Sequence, residues 1–115
     1  MDNPIRLRAS EIFGALSHPT RLRIVELLQD GEKTVGDIAA TLGLMQSGTS
    51  QHLAILARAG VLSVDQRGSL RFYRLRGPRV GRILALIEEF CSVHSLEGYA
   101  EDGITPPPPD RSIAG

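Results

Sequence analysis

The 115-residue chain is predicted to be mainly α-helical, with about five helices and one small β-hairpin. Two observations carry this expectation. Apolar residues recur every three or four positions through most of residues 4–59 and again over 80–94, the period of amphipathic helices. Between those segments the period drops to two, in VLSVDQ and LRFYRL, with Arg67-Gly68-Ser69 between them as the turn of a hairpin.

The elements follow in order. A first helix spans residues 4–16, with Ala9, Ile12, Phe13 and Leu16 on one face, and Ser17-His18-Pro19-Thr20 breaks it. Pro19 or Thr20 opens a second helix whose apolar face is Leu22, Ile24, Val25, Leu27 and Leu28, stopped by Asp30-Gly31. Thr34 is a good N-cap for a short third helix containing Val35, Ile38, Ala39 and Leu42, which Gly43 ends. A fourth helix covers residues 46–59 and stops at Gly60. Gly77-Pro78 starts a fifth, whose stripe is Val80, Ile83, Leu84, Ile87, Phe90, Cys91 and His94.

Length suits one domain, residues 1–102, followed by a Pro-rich tail over 103–115 that cannot bury enough apolar surface to fold and is expected to be disordered. No apolar run can span a bilayer and the first residues do not read as a signal peptide, so a cytoplasmic location and no membrane partner are expected. The single cysteine, Cys91, excludes an intramolecular disulfide and a CxxC-type zinc site. Neither a catalytic Ser/His/Asp or Cys/His set nor a phosphate-cradling glycine loop is suggested, which argues against an enzyme.

Net charge is zero, but unevenly spread. Residues 58–82 hold Arg58, Arg67, Arg71, Arg74, Arg76, Arg79 and Arg82 against Asp65 alone, and the acidic residues Glu88, Glu89, Glu97, Glu101, Asp102 and Asp110 follow. A neutral chain so arranged can still offer a positive face to a polyanion.

Three helices, a short turn, a helix with a polar beginning and a basic hairpin make a winged helix-turn-helix, with the hairpin as a two-stranded wing. In that fold the first turns of the second helix of the motif meet base edges in the major groove. Here those turns hold Gln46, Ser47, Thr49, Ser50, Gln51 and His52. Glutamine reads adenine through two hydrogen bonds, and Ser or Thr can donate or accept. Such short polar groups are poor helix formers, so contact rather than stability explains them. Met45 lacks a capping oxygen and Gly48 sits inside the helix, each a loss of about 1 kcal/mol. Either Ser47 caps a later start, or the first turn is loose until DNA orders it. Gly48 would also admit a close backbone approach.

The segment ALSHPTRLRIVELL, with Ser50-Gln51-His52-Leu53 through Ala59-Gly60-Val61-Leu62 as SxHLxxLxxAGxL, resembles the ArsR/SmtB family of bacterial winged-helix transcription regulators over about residues 10–76. The resemblance implies a regulator, by family habit a repressor, acting as a homodimer on a palindromic double-stranded DNA operator. Half-sites would lie about 10 bp apart or a multiple of that. It puts Gln46, Ser47, Ser50, Gln51 and His52 at the DNA, with Arg67 of the wing on phosphate or in a minor groove. Thr49 of the same polar run and Arg71 of the basic hairpin are further DNA-binding candidates. The dimer interface would use the first and fifth helices, through Ile12, Phe13, Leu16, Val80, Ile83, Leu84, Ile87, Phe90 and Cys91.

The chain departs from the family's metal sensors. Where arsenic and cadmium sensors carry Cys-Val-Cys, this sequence reads Thr34-Val35-Gly36, and Pro78-Arg79-Val80-Gly81 offers no ligand where zinc and nickel sensors have Asp and His. No metal or other cofactor is therefore expected. The remaining donors are Glu88, Cys91 and His94, spaced three apart on the fifth helix, of a kind that takes Ni or Zn. The chain would then sense a non-metal ligand, bind DNA constitutively, or take its signal from a separate regulatory protein. The competing reading is a winged-helix protein-interaction module or co-regulator whose DNA binding depends on an effector-sensing partner.

Overall fold

The computed structural model describes residues 1–94, so the Pro-rich segment 103–115 and the boundary placed at residue 102 lie outside the described residues. The order of elements is α1 (Asn3–Leu16), α2 (Pro19–Leu28), β1 (Lys33–Thr34), α3 (Val35–Leu42), α4 (Gln46–Arg58), β2 (Leu62–Arg67), β3 (Leu70–Leu75) and α5 (Pro78–Val93). Among the described residues the chain divides after Leu84, into residues 1–84 and the remainder of α5.

Local chemistry explains most helix ends. Asp2 caps α1 by accepting from the Ile5 amide at 3.0 Å. His18 caps α2 through Nδ1, which accepts from the Thr20 amide at 3.1 Å, with Pro19 in the first turn. Thr34 Oγ1 accepts from the Asp37 amide at 3.2 Å to cap α3. Gly43 ends α3 in the left-handed region (φ 67°), and the Leu44 amide reaches back to the Ala39 carbonyl at 2.9 Å. The chain then enters α4 after three residues.

The sheet is three-stranded and antiparallel in the order β1-β3-β2. The expected two-stranded wing is thus enlarged by β1, where Lys33 pairs with Tyr73 and Thr34 with Phe72. Two residues show no alternation, so no strand pattern marks β1 in the sequence. The hairpin turn is also tighter than Arg67-Gly68-Ser69, because Arg67 belongs to β2 and pairs with Leu70. Gly68 takes the left-handed backbone that a two-residue turn needs (φ 61°).

The core of residues 1–84 gathers Ala15 and Leu16 of α1, Ile24, Val25 and Leu28 of α2, Ile38 of α3, Leu53, Leu56 and Ala59 at the end of α4, and Val61, Leu62 and Tyr73 of the wing segment. Leu16 is therefore an inside residue of its own subunit, not part of a dimer interface. Its place on the α1 stripe faces α2 and α4. Ile12, Val80 and Leu84 are half-buried against the same core.

α4 turns Thr49, Leu53 and Leu56 inward, with half-buried His52 on the same side. The His52 ring lies 4.7 Å from that of His18 at the start of α2, and His52 Nδ1 is buried without a hydrogen-bond partner. Burial, with smaller contributions from His18 and Arg21, holds the His52 imidazole below the ordinary histidine range.

Two predictions follow from this packing. Leu53→Ala is expected to lower stability by about 2–5 kcal/mol in urea unfolding, and a loss below about 1 kcal/mol would mean that α4 is not anchored there. His52 is neutral in the fold and binds its proton more readily when unfolded, so its contribution is full above the ordinary histidine range and is lost as pH falls through the lowered value. The melting temperature should drop between about pH 7.5 and about pH 5.5, and the drop should shrink in His52→Gln. An equal drop in both proteins would assign the titration to another group.

Candidate nucleic-acid interface

The inward stripe of α4 determines what it shows to solvent. With Thr49, His52, Leu53 and Leu56 turned in, the helix period leaves Gln46, Ser47, Ser50, Gln51 and Ala54 exposed together. Four of these five carry short polar side chains that can donate and accept hydrogen bonds. Two expected members are absent from the face. Thr49 is fully buried, and its Oγ1 donates to the Met45 carbonyl at 2.9 Å, so it serves the helix rather than a ligand. His52 packs on His18 instead; Thr49 lies four positions before Leu53 and His52 four before Leu56, so both fall on the inward side.

Helix α4 begins at Gln46 without delay. Met45 occupies the N-cap position in extended backbone and makes no side-chain cap hydrogen bond, and its side chain is 79% exposed. The first turn is thus ordered, with the Thr49 amide donating to the Met45 carbonyl at 3.0 Å, while the amides ahead of it lack a side-chain acceptor. Gly48 is helical, and a Cβ there would meet nothing within 4 Å. Nothing within residues 1–94 requires glycine at this position.

Across from the start of α4 stands the wing. A cleft of about 310 Å³ is lined by Thr34, Val35 and Gly36 at the start of α3, Gln46 of α4, and Ser69, Leu70 and Arg71 of the wing. The fold thereby brings Gln46 and Arg71 to one concavity. Arg71 is exposed, with Nε at 3.4 Å from Gln66 Oε1 and no acidic partner among the described residues. Arg58, Arg74, Arg76, Arg79 and Arg82 are likewise exposed and unpaired with acids among the described residues.

Arg67 is the exception. Its Nη1 and Nη2 donate to the two oxygens of Glu32 at 2.8 and 2.7 Å, its Nε donates to Asp65 at 3.0 Å, and its guanidinium carbon lies 4.4 Å from the centre of the Phe72 ring. The carboxyl of Glu32 is held below the usual range chiefly by that hydrogen bond, and Arg67 is held more firmly protonated. The residue expected on phosphate or in a minor groove is instead engaged within the protein. Sequence reasoning missed Glu32 because its partner stands 35 positions away.

The expected dimer residues divide. Phe13 of α1 is exposed, as are Ile83, Ile87 and Phe90 of α5, while Cys91 is half-buried. Ile5 and Leu7 on α1, and Leu86 and Val93 on α5, add exposed apolar side chains that were not singled out. No residue of α5 is buried. Glu88, Cys91 and His94 do not form a group able to hold a metal ion among the described residues, and the His94 ring lies 4.3 Å from Phe90.

The family model for the bacterial regulatory proteins of the arsR family matches residues 18–64, from the cap of α2 into β2. The uncharacterized HTH-type transcriptional regulator Rv0081 of Mycobacterium tuberculosis is 36% identical over 84 residues, covering 72% of this chain and 74% of that protein. Over 89 residues the biofilm growth-associated repressor of Agrobacterium fabrum is 35% identical, with coverage of 74% of this chain and 76% of the repressor. Among solved structures, the homodimeric winged helix-turn-helix DNA-binding domain of a Mycobacterium bovis protein superposes with a TM-score of 0.74 at 29% identity, covering 88% of this chain and 94% of that one. Fold, motif and relatives agree: the chain belongs to the ArsR family of bacterial regulatory proteins.

Proposed function

We infer that this chain is a sequence-specific transcriptional regulator that binds a palindromic double-stranded operator in the cytoplasm as a homodimer. The observation that carries the reading is the solvent face of α4. Gln46, Ser47, Ser50 and Gln51 stand together on an uncapped first turn, beside a wing that presents Arg71 across a shared cleft. Gln46 and Gln51 read base edges in the major groove, the two serines assist, and the uncapped amides with Arg71 receive phosphates. Thr49 and His52 hold the helix instead. The named repressor among the relatives favours repression.

The dimer is supported by the surface of α5. Ile83, Leu86, Ile87, Phe90 and Val93 are exposed at spacings of three, one, three and three along one 16-residue helix, a continuous apolar stripe of the kind that marks an interface. The M. bovis relative is a homodimer, and a second copy of this chain would cover the same stripe.

Fluorescence anisotropy on the DNA upstream of the protein's own gene, against a scrambled duplex at several salt concentrations, tests the reading. A preference of about 10³ or more is expected. Equal, weak binding to both duplexes would overturn it in favour of an interaction module, or of a co-regulator that binds DNA only through a separate protein. Gln51→Ala should weaken the cognate site by about 1–3 kcal/mol and relax one base position. Gly48→Ala should raise the melting temperature, since alanine favours a helix by about 1 kcal/mol, yet weaken operator binding by crowding the backbone against DNA. Unchanged binding would show that the backbone does not approach. Phe90→Glu should shift the sedimentation coefficient to that of a monomer, and a persisting dimer would move the interface off α5.

A further inference from the structure

The wing contains one built ion-pair cluster, and it does not suit a phosphate. All three guanidinium nitrogens of Arg67 donate to carboxylate oxygens of Glu32 and Asp65. One positive and two negative groups leave the cluster at −1, with Arg74 as the next positive group acting on Glu32. A bidentate fork between Arg and carboxylate fixes direction as well as distance. The ring of Phe72 under the guanidinium adds a further restraint, and Phe72 pairs with both Asp65 of β2 and Thr34 of β1.

The positions of the partners show what is being held. Arg67 is the last residue of β2, at the wing turn. Glu32 immediately precedes β1, and two residues later Thr34 caps α3, the first helix of the helix-turn-helix. The ion pair therefore joins the tip of the wing to the segment that starts the motif. Thr34 and Val35 on one side, and Leu70 and Arg71 on the other, are walls of the cleft that also holds Gln46.

We propose that Arg67 is a positioning residue: with Glu32 and Asp65 it latches the wing to the start of α3, sets the separation of Arg71 from Gln46, and leaves the phosphate contact to Arg71. The inference rests on the DNA-binding reading and adds a division of labour within the wing. It also reverses a sign. Removing an acid from a DNA-binding domain ordinarily tightens binding, whereas loss of Glu32 loosens the latch and weakens it.

The test compares wild type, Glu32→Gln, Arg67→Ala, the double variant and Arg71→Ala on the preferred duplex over a range of salt concentrations. Glu32→Gln and Arg67→Ala are each expected to weaken binding about two- to fivefold. Neither should change the slope of log K against log salt. The double variant should be no weaker than Arg67→Ala, because both changes remove one interaction. Arg71→Ala should reduce the slope by about 0.9, the value of one lost phosphate contact. Tighter binding by Glu32→Gln, or a slope reduced by about 0.9 in Arg67→Ala, would overturn the latch and make Arg67 a direct phosphate contact. Amide hydrogen exchange at Leu70, Arg71 and Phe72, measured without DNA, gives a second readout. Faster exchange in both Glu32→Gln and Arg67→Ala is expected, and unchanged exchange would overturn the latch. If wild type prefers no duplex, the functional reading falls and the exchange result still decides the latch.

Discussion

The inward packing of α4 is the constraint on which the rest of the structure depends. Thr49, His52, Leu53 and Leu56 occupy spacings of three, one and three, and the last two are fully buried against a core shared with α2, α3 and the wing segment. A rigid helix with one face so anchored has no rotational freedom left. Gln46, Ser47, Ser50 and Gln51 point outward because the leucines point inward. The capped α3 and the left-handed Gly43 then fix where the helix begins, three residues after its predecessor ends.

Stability and contact compete within the first turn of α4. A capping oxygen in place of Met45 and an alanine in place of Gly48 would each favour the helix by about 1 kcal/mol. The chain has neither, and the core leucines together with the Thr49 hydrogen bond to Met45 offset the loss. Open amides and a bare backbone are what a polyanion needs at close range. The same logic applies to charge: most arginines of the basic segment lack acidic partners among the described residues, while Arg67 is spent on internal order.

The agreement between sequence and fold is closest where physics is local. Helix periods, proline and glycine stops and the Thr34 cap involve residues within about one turn of each other, and α1 to α5 begin and end within a residue or so of the expected places. The change of period at residue 61 likewise marks the hairpin. Differences arise where a partner is distant. β1 is two residues long and exists only because β3 lies beside it. The Arg67–Glu32 pair closes over 35 positions, so a residue read as a free cation proves to be bound.

The candidate interface shows the same boundary. A run of six polar side chains over residues 46–52, of which Ser47, Thr49, Ser50 and His52 are weak helix formers, is what singles α4 out as the proposed DNA-facing element. Which of the six reach outward is a question of rotational phase. Residue types alone cannot supply it, since threonine and histidine are acceptable on either face. Packing supplied it, placing Thr49 under the helix and His52 against His18. Composition and periodicity are therefore enough to name the fold and to single out the helix proposed to read DNA. Only the tertiary contacts, which act between residues far apart in the chain, decide which side chains remain available to bind.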